Sequence, residues 1–342
     1  MNKIKTVLIV IFLLSMTIQA KDYTQKKEVQ HFINMMVKKH HFNRWYLKKL
    51  FKNVQFQRRA LSIFNPKFRK KPKKSSKKKR FPKHGSWDRY KKHLLGDTRV
   101  QEGVKYMRDN RNIFHKVYKK YGVPPEYITA IIGIESHYGQ NRGKFPAFDT
   151  LTTLAFERNR RSKYFKYELE KLLLLSKRDK FNPKKVKSSY AGAIGLGQFM
   201  PSSYVYAVDF NKDGRRSMQT ASDAIAGIAN YFKKNGWTKW KPVATLVSFK
   251  GNRFNAKKTG YLHKYSRSKL KGIVPKDKKW NYHGKVRLLK LDRYKHDELW
   301  YGTKNFYVIT RYNHSTYYAM AVHQLAQKIK KEYKKKYGNY LR

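Results

Sequence analysis

Apolar positions recur at helical spacing through most of this 342-residue chain. In "KEVQHFINMMVKKHHFNRWYLKKLFKNVQ", residues 27–55, they alternate with basic positions, which predicts one or two short amphipathic helices. From residue 86 to 240 the same period predicts helices over 99–121, 124–137, 149–156, 163–176, 202–210 and 222–235. Beyond Trp240 the period weakens, and "KVRLLKL" and "NFYVITRY" read as strands. A last helix is expected over about 315–336, and no internal repeat is visible. The pattern predicts a mainly α chain with a small β-rich part. Its divisions fall at 1–20, 21–65, 66–85, 86–240, 241–307 and 308–342.

Charge changes this picture. The chain has 80 Lys and Arg against 21 Asp and Glu, a formal net charge of +59, so a polyanionic partner is expected. "PKFRKKPKKSSKKKR", Pro66 to Arg80, holds ten Lys or Arg in fifteen positions and reads as a linker or charged loop, or as a contact for an anionic polymer. The first twenty residues read as a secretory signal: Lys3 and Lys5, an apolar stretch from Val7 to Met16, and Ala20 for cleavage. The stretch is short for a membrane span; an uncleaved signal would tie the protein to the inner membrane. Export turns the basic surface away from nucleic acid and towards anionic envelope polymers, which predicts a periplasmic protein. With no cysteine, disulfides and a lipidated cysteine are excluded for this sequence.

Three stretches carry candidate chemistry. In "GVPPEYITAIIGIESHYGQN", Ile128, Ile131, Ile132 and Glu135 fall on one helical stripe, with Gly139 as a C-terminal cap. Burial and the negative helix end both raise a carboxyl pKa, as a general acid at neutral pH requires. A structural Glu paired with a base such as Arg142 has the same pattern. In "KSSYAGAIGLGQFMPSSYVYAVDF", Gly192, Gly195 and Gly197 strip a surface of side chains, and Gln198 adds an amide, which suits a sugar-binding groove or close packing. In "DFNKDGRRSMQTASD", Asp209, Asn211, Asp213 and Gly214 match positions 1, 3, 5 and 6 of a calcium loop. Thr220 stands where the bidentate Glu belongs, so an Asx turn before a helix capped by Ser222 is the other reading.

Together these stretches, with "GSWDRY", "FDTLTTLAF", "SDAIAGIANYFKKNGW" and "FYVITRYNHSTYYAMAVHQLA", resemble the lytic murein transglycosylase B family of cell-wall enzymes. The match covers most of the chain after about Lys27 and is weakest in the Lys-rich run and over 241–300. The resemblance implies a lysozyme-like helical core, an N-terminal helical portion and a small β-rich subdomain, acting as a monomer. It implies that Glu135 alone protonates the glycosidic oxygen between N-acetylmuramic acid and N-acetylglucosamine in peptidoglycan. Glu135 then draws the proton from the muramic acid's C6 hydroxyl, giving a 1,6-anhydro end. Glycan-binding positions carry over to Tyr90, Ser189, Gln198, Phe199, Met200, Tyr231, Tyr312, Asn313 and Tyr318. The family's longer calcium loop uses side chains matching Asp209, Asn211, Asp213 and Asp223 and the carbonyl matching Arg215, which makes Ca²⁺ the candidate ion. Lys212, Arg215 and Arg216 weaken that expectation with positive charge. Asp149, the next acid downstream of Glu135, reads as a helix N-cap. The other readings are a hydrolytic muramidase and a noncatalytic basic peptidoglycan-binding protein.

Overall fold

A computed structural model of the chain describes residues 20–68 and 81–339. The expected signal, but for Ala20, and the heart of the Lys-rich run lie outside the described residues.

The N-terminal portion comprises β1 (Ala20–Lys21), α1 (Lys27–His40), α2 (Arg44–Lys52), β2 (Val54–Gln55) and α3 (Arg58–Phe64). Helix α1 buries Val29, Phe32, Ile33 and Met36, one stripe at helical spacing. Strands β1 and β2 pair antiparallel, and the portion docks on the core through Phe51 against Phe148 at 5.1 Å. Tyr23 adds a hydrogen bond to Glu157.

The core comprises α4 (Ser86–Lys92), α5 (Asp97–Asp109), α6 (Arg111–Tyr121), α7 (Pro125–Ser136), β3 (Phe145–Pro146), α8 (Ala147–Phe156), α9 (Ser162–Arg178), β4 (Lys187–Ser188) and α10 (Ala221–Lys234). Helix α7 threads its centre. Every residue from Pro125 to Gly133 is buried, so the expected apolar stripe is a helix covered on all sides. Gly133 is required there, because a Cβ would stand 2.5 Å from the Tyr138 hydroxyl.

The small subdomain is an antiparallel sheet of β5 (Ala244–Ser248), β6 (Lys264–Tyr265), β7 (Val274–Pro275), β8 (Val286–Asp292) and β9 (Asp297–Gly302), in the order β6-β8-β9-β5-β7. Val286 and Leu288 of β8 face a small local core, and Leu289 and Leu291 face the main one. Both faces are covered, which is why apolar residues stand at both even and odd positions of this strand. Asp292 clamps the sheet to α4, accepting from the Ser86 amide at 3.0 Å and meeting His84 Nδ1 at 2.9 Å. Helices α11 (Lys304–Tyr312) and α12 (Thr316–Tyr337) return the chain to the core, where α12 packs along α7 and α5.

Several sequence expectations differ from the fold. "NFYVITRY" is helix α11, not a strand: Thr303 Oγ1 accepts from the Asn305 amide and caps it, and burial of Phe306 and Ile309 overrides their β preference. The helix expected over 99–121 is two, broken at Asn110, whose side chain bonds the Tyr106 carbonyl instead of solvent. Over 202–210 there is a 3₁₀ segment, Pro201–Tyr206, because the Glu168 carboxylate captures both the amide and the hydroxyl of Ser202. Asp149 is no N-cap. Helix α8 starts at Ala147, and Asp149 sits buried in its first turn, 3.4 Å from Lys184 Nζ. Ser222 is no N-cap either, since α10 begins at Ala221 after Thr220.

Candidate active site

Helix α7 ends when His137 takes a left-handed conformation, φ 50°, and its amide bonds the Ile132 carbonyl. His137 rather than Gly139 is therefore the cap. This sharp stop leaves Glu135 in the last turn, at the floor of a cleft of about 870 Å³. One wall is Gln55, Gln57, Arg59 and Ile63 from the N-terminal portion; the other is the β3–β4 pair with Ser189, Tyr190, Ala191 and Gln198. Among the described residues, Glu135 is the only carboxylate that lines the cleft.

Glu135 is partly buried, and desolvation raises its pKa from 4.5 to about 7. A hydrogen bond from the Tyr318 hydroxyl to Oε1, 2.6 Å long, works in the opposite direction by favouring the carboxylate. Tyr318 itself is buried, and burial with the nearby carboxylate pushes its hydroxyl well above its ordinary value, so it remains a donor. Arg142 is not the ion partner: it donates to the carbonyls of Gly139 and Gln219. The pair-forming reading of Glu135 thus gives way to a carboxyl held by a neutral phenol.

Behind the carboxyl stands an aromatic stack. Tyr312 lies parallel to Tyr318 with centroids 6.5 Å apart, and Tyr231 meets Tyr312 edge-on at 5.1 Å. Tyr312 donates to the Gly197 carbonyl and Tyr231 to that of Arg311. Tyr90, on α4, feels the charge of Glu135, though burial is the larger cause of its raised pKa.

The other expected site residues divide. Ser189 and Gln198 reach the cleft beside Glu135; Ser189 Oγ accepts from the amides of Ala191 and Ala193 and so fixes the loop. Gln198 holds φ at 49° and donates to the Gly195 carbonyl at 2.8 Å. Phe199 is buried core, packed against Tyr204 and Tyr231, and Met200 packs against the same core. Exposed Asn313 ends α11 and, like Phe199 and Met200, does not line the cleft. The glycines serve packing rather than a bare sugar surface. A Cβ on Gly195 would stand 2.4 Å from the Met218 carbonyl, and one on Gly197 2.8 Å from the Tyr312 hydroxyl. Sequence reasoning missed Gln55, Gln57, Arg59 and Lys187. The amides of "VQFQ" were the available signal, alternating as on an extended edge.

The acidic loop closes on itself. Oxygens of Asp209, Asp213 and Asp223 lie within 4.8 Å of one another. Ligand oxygens on opposite sides of a Ca²⁺ stand roughly 4.6–5.2 Å apart, so the spacing and the hard oxygen donors fit that ion. Buried Asp223 also accepts from the amides of Phe210 and Ser217, and Asn211 donates to Asp213. The Arg215 side chain is exposed, and its amide bonds Asp213.

Residues 24–327 match the Transglycosylase SLT domain family. The chain is 40% identical over 311 residues to the membrane-bound lytic murein transglycosylase B of Escherichia coli K12, covering 90% of this chain and 84% of that protein. The E. coli lytic transglycosylase Slt35, solved with bulgecin A and also with calcium, is 38% identical and superposes with a TM-score of 0.82 over 92% of this chain and 96% of its own. Soluble lytic transglycosylase SltB1 of Pseudomonas aeruginosa, 32% identical, covers 89% of this chain and 99% of its own with a TM-score of 0.76. The chain belongs to the transglycosylase SLT-domain family and is a lytic murein transglycosylase.

Proposed function

We propose that this protein acts outside the inner membrane on peptidoglycan, cleaving the β-1,4 bond between N-acetylmuramic acid and N-acetylglucosamine and leaving 1,6-anhydro-muramic acid ends. The observation that carries this reading is a single carboxyl at the cleft floor with its pKa near neutrality. Glu135 donates its proton to the glycosidic oxygen as the bond from C1 to that oxygen breaks. The carboxylate so formed is stabilised by the Tyr318 hydroxyl. It then takes the proton of the muramic acid's C6 hydroxyl as O6 bonds to C1, which returns Glu135 to its starting state.

Two carboxylates are usual in glycoside cleavage, but substrate-assisted enzymes dispense with the second. An internal hydroxyl in good orientation has an effective molarity on the order of 10⁵ M, enough to exclude water as the acceptor. Ser189 and Gln198 bond the sugars' hydroxyl and acetamido groups, while Tyr90, Tyr231 and Tyr312 build the wall behind the carboxyl. The loop of Asp209, Asn211, Asp213, Arg215 and Asp223 holds a structural Ca²⁺, supported by the oxygen spacing and by the calcium complex of Slt35. The signal-like first residues and the net charge of +59 support export and contact with anionic envelope polymers. No helix of the described residues is long and apolar enough to cross a membrane.

The test is mass spectrometry of sacculi digested with the purified protein. The expected products are 1,6-anhydro-muropeptides, lost in Glu135→Gln. Reducing-end products would replace the reading with a hydrolytic muramidase, and sacculus binding without product with a binding protein.

A further inference from the structure

The end of α7 remote from Glu135 carries a second cavity of about 470 Å³, which shares no lining residue with the cleft. Glu126, at its edge, lies roughly 14 Å from Glu135 along a helix axis. Its size falls within the usual small-ligand range of roughly 300–1,000 Å³.

Its floor is a polar chain. Gln327 Nε2 donates to the Tyr127 hydroxyl at 3.2 Å, which lies 2.8 Å from His323 Nδ1. Burial lowers the His323 pKa to about 4, so the ring is neutral. Nδ1 is taken up by the Tyr127 hydroxyl, which leaves Nε2 as the ring nitrogen outside that bond.

The rim is aromatic. Trp240 is 76% exposed although it is the largest apolar side chain type, and its backbone sits at φ 66°, a conformation that bulky residues rarely adopt. Tyr118 braces its edge at 6.0 Å and Lys239 approaches one face at 4.8 Å, leaving the indole presented to solvent. Across the cavity, Trp280 has a buried Nε1 with no partner among the described residues, beside the exposed amide of Asn281. Flat rings flanked by amides and by an unpaired indole N–H match a sugar: the rings take the C–H face, and the amides and the N–H take the hydroxyl and acetamido oxygens.

We propose that this cavity is a noncatalytic binding site for an N-acetylhexosamine unit of a β-1,4 glycan, holding the enzyme on its polymer while Glu135 acts on another part. It rests on the proposed function only in taking such a glycan to be the polymer.

The probe is chitotetraose, the β-1,4 tetramer of N-acetylglucosamine, added to the full chain with ¹⁵N-labelled indoles. The six tryptophans give separate signals, assigned by single Trp→Phe variants. The Trp240 and Trp280 signals are expected to shift on addition. Trp240→Ala should abolish the shift at Trp280 and weaken sacculus binding roughly tenfold at 0.5 M salt, where surface charge is screened. Its turnover of short soluble glycans should stay unchanged, and Trp240→Tyr, which keeps a ring, should restore most of the binding. An absent indole shift overturns the proposal. So does undiminished sacculus affinity in both Trp240→Ala and Asn281→Ala. If Trp240→Ala fails to fold, the indole shifts of the wild type and the Asn281→Ala affinity decide. Indole shifts in an enzyme that releases no anhydro product would sink the proposed function and leave this site standing; anhydro product without indole shifts does the reverse.

Discussion

Glu135→Gln should make the protein more stable at alkaline pH and no more stable in acid. Burial raises the carboxyl from 4.5 to about 7. A folded-state value above the unfolded one means that the native state holds a proton the unfolded chain has already lost. Stability from this group is therefore complete below about pH 4.5 and is lost as pH rises through about 7. The difference between the two values corresponds to about 3 kcal/mol at pH 8. Glutamine has the same shape, never ionises, and keeps an oxygen to accept the Tyr318 hydroxyl, so it escapes the penalty. The gain of about 3 kcal/mol translates to roughly 5 °C in Tm. Thermal melts of the wild type and the variant at pH 8 and pH 4 check this. A Tm increase that is absent, or equal at both pH values, would mean that Glu135 is not desolvated, and the account of its acidity would fail. The stabilised variant should also be the inactive one, as expected where a site keeps a group under penalty for its chemistry.

Tyr318→Phe removes the hydrogen bond that favours the Glu135 carboxylate, so the carboxyl pKa should rise further. The alkaline limb of the pH–rate profile should move up, and kcat should fall on the order of tenfold to a hundredfold, the worth of a charge-assisted bond. A limb that stays put or moves to acid pH refutes the role. Millimolar Ca²⁺ should raise the Tm of the chelator-treated protein, by about 2.7 kcal/mol of stability at a hundred times Kd. Asp213→Ala, at an exposed position, should abolish that response and leave the metal-free Tm unchanged.

What the sequence made legible were features with local causes. The amphipathic period located α1 and α9, the proline pair marked the start of α7, and the short apolar-rich segment "KVRLLKL" located β8. The calcium-like loop was legible because its carboxylates follow one another closely. The errors arose where distant contacts decide local structure. Residues 305–312 are mostly β-branched and aromatic, yet a Thr cap and burial make them a helix. The glycines of "AGAIGLGQ" left a bare groove and close packing equally open, because Met218 and Tyr312, which fill the space above Gly195 and Gly197, come from other parts of the chain. Glu135 could be picked out as a buried carboxylate, whereas its partner could not be derived from its own helix. The wall formed by Gln55, Gln57 and Arg59 was illegible for the same reason: nothing near these residues announces that the N-terminal portion folds back over α8.

The bond between Glu135 and Tyr318 spans 183 residues, and α12, which supplies the hydroxyl, is the last helix described. Contacts so distant in sequence form late, after the costs of closing long loops have been met. The pairing of Glu135 with Tyr318 therefore depends on the chain through α12. A nascent chain still being synthesised or threaded, or a fragment cut before α12, holds the acid but not its phenol. It also lacks the helix that packs along α7. The acid and its hydrogen-bond partner thus come together only once α12 is in place, and truncation before it costs the arrangement around Glu135.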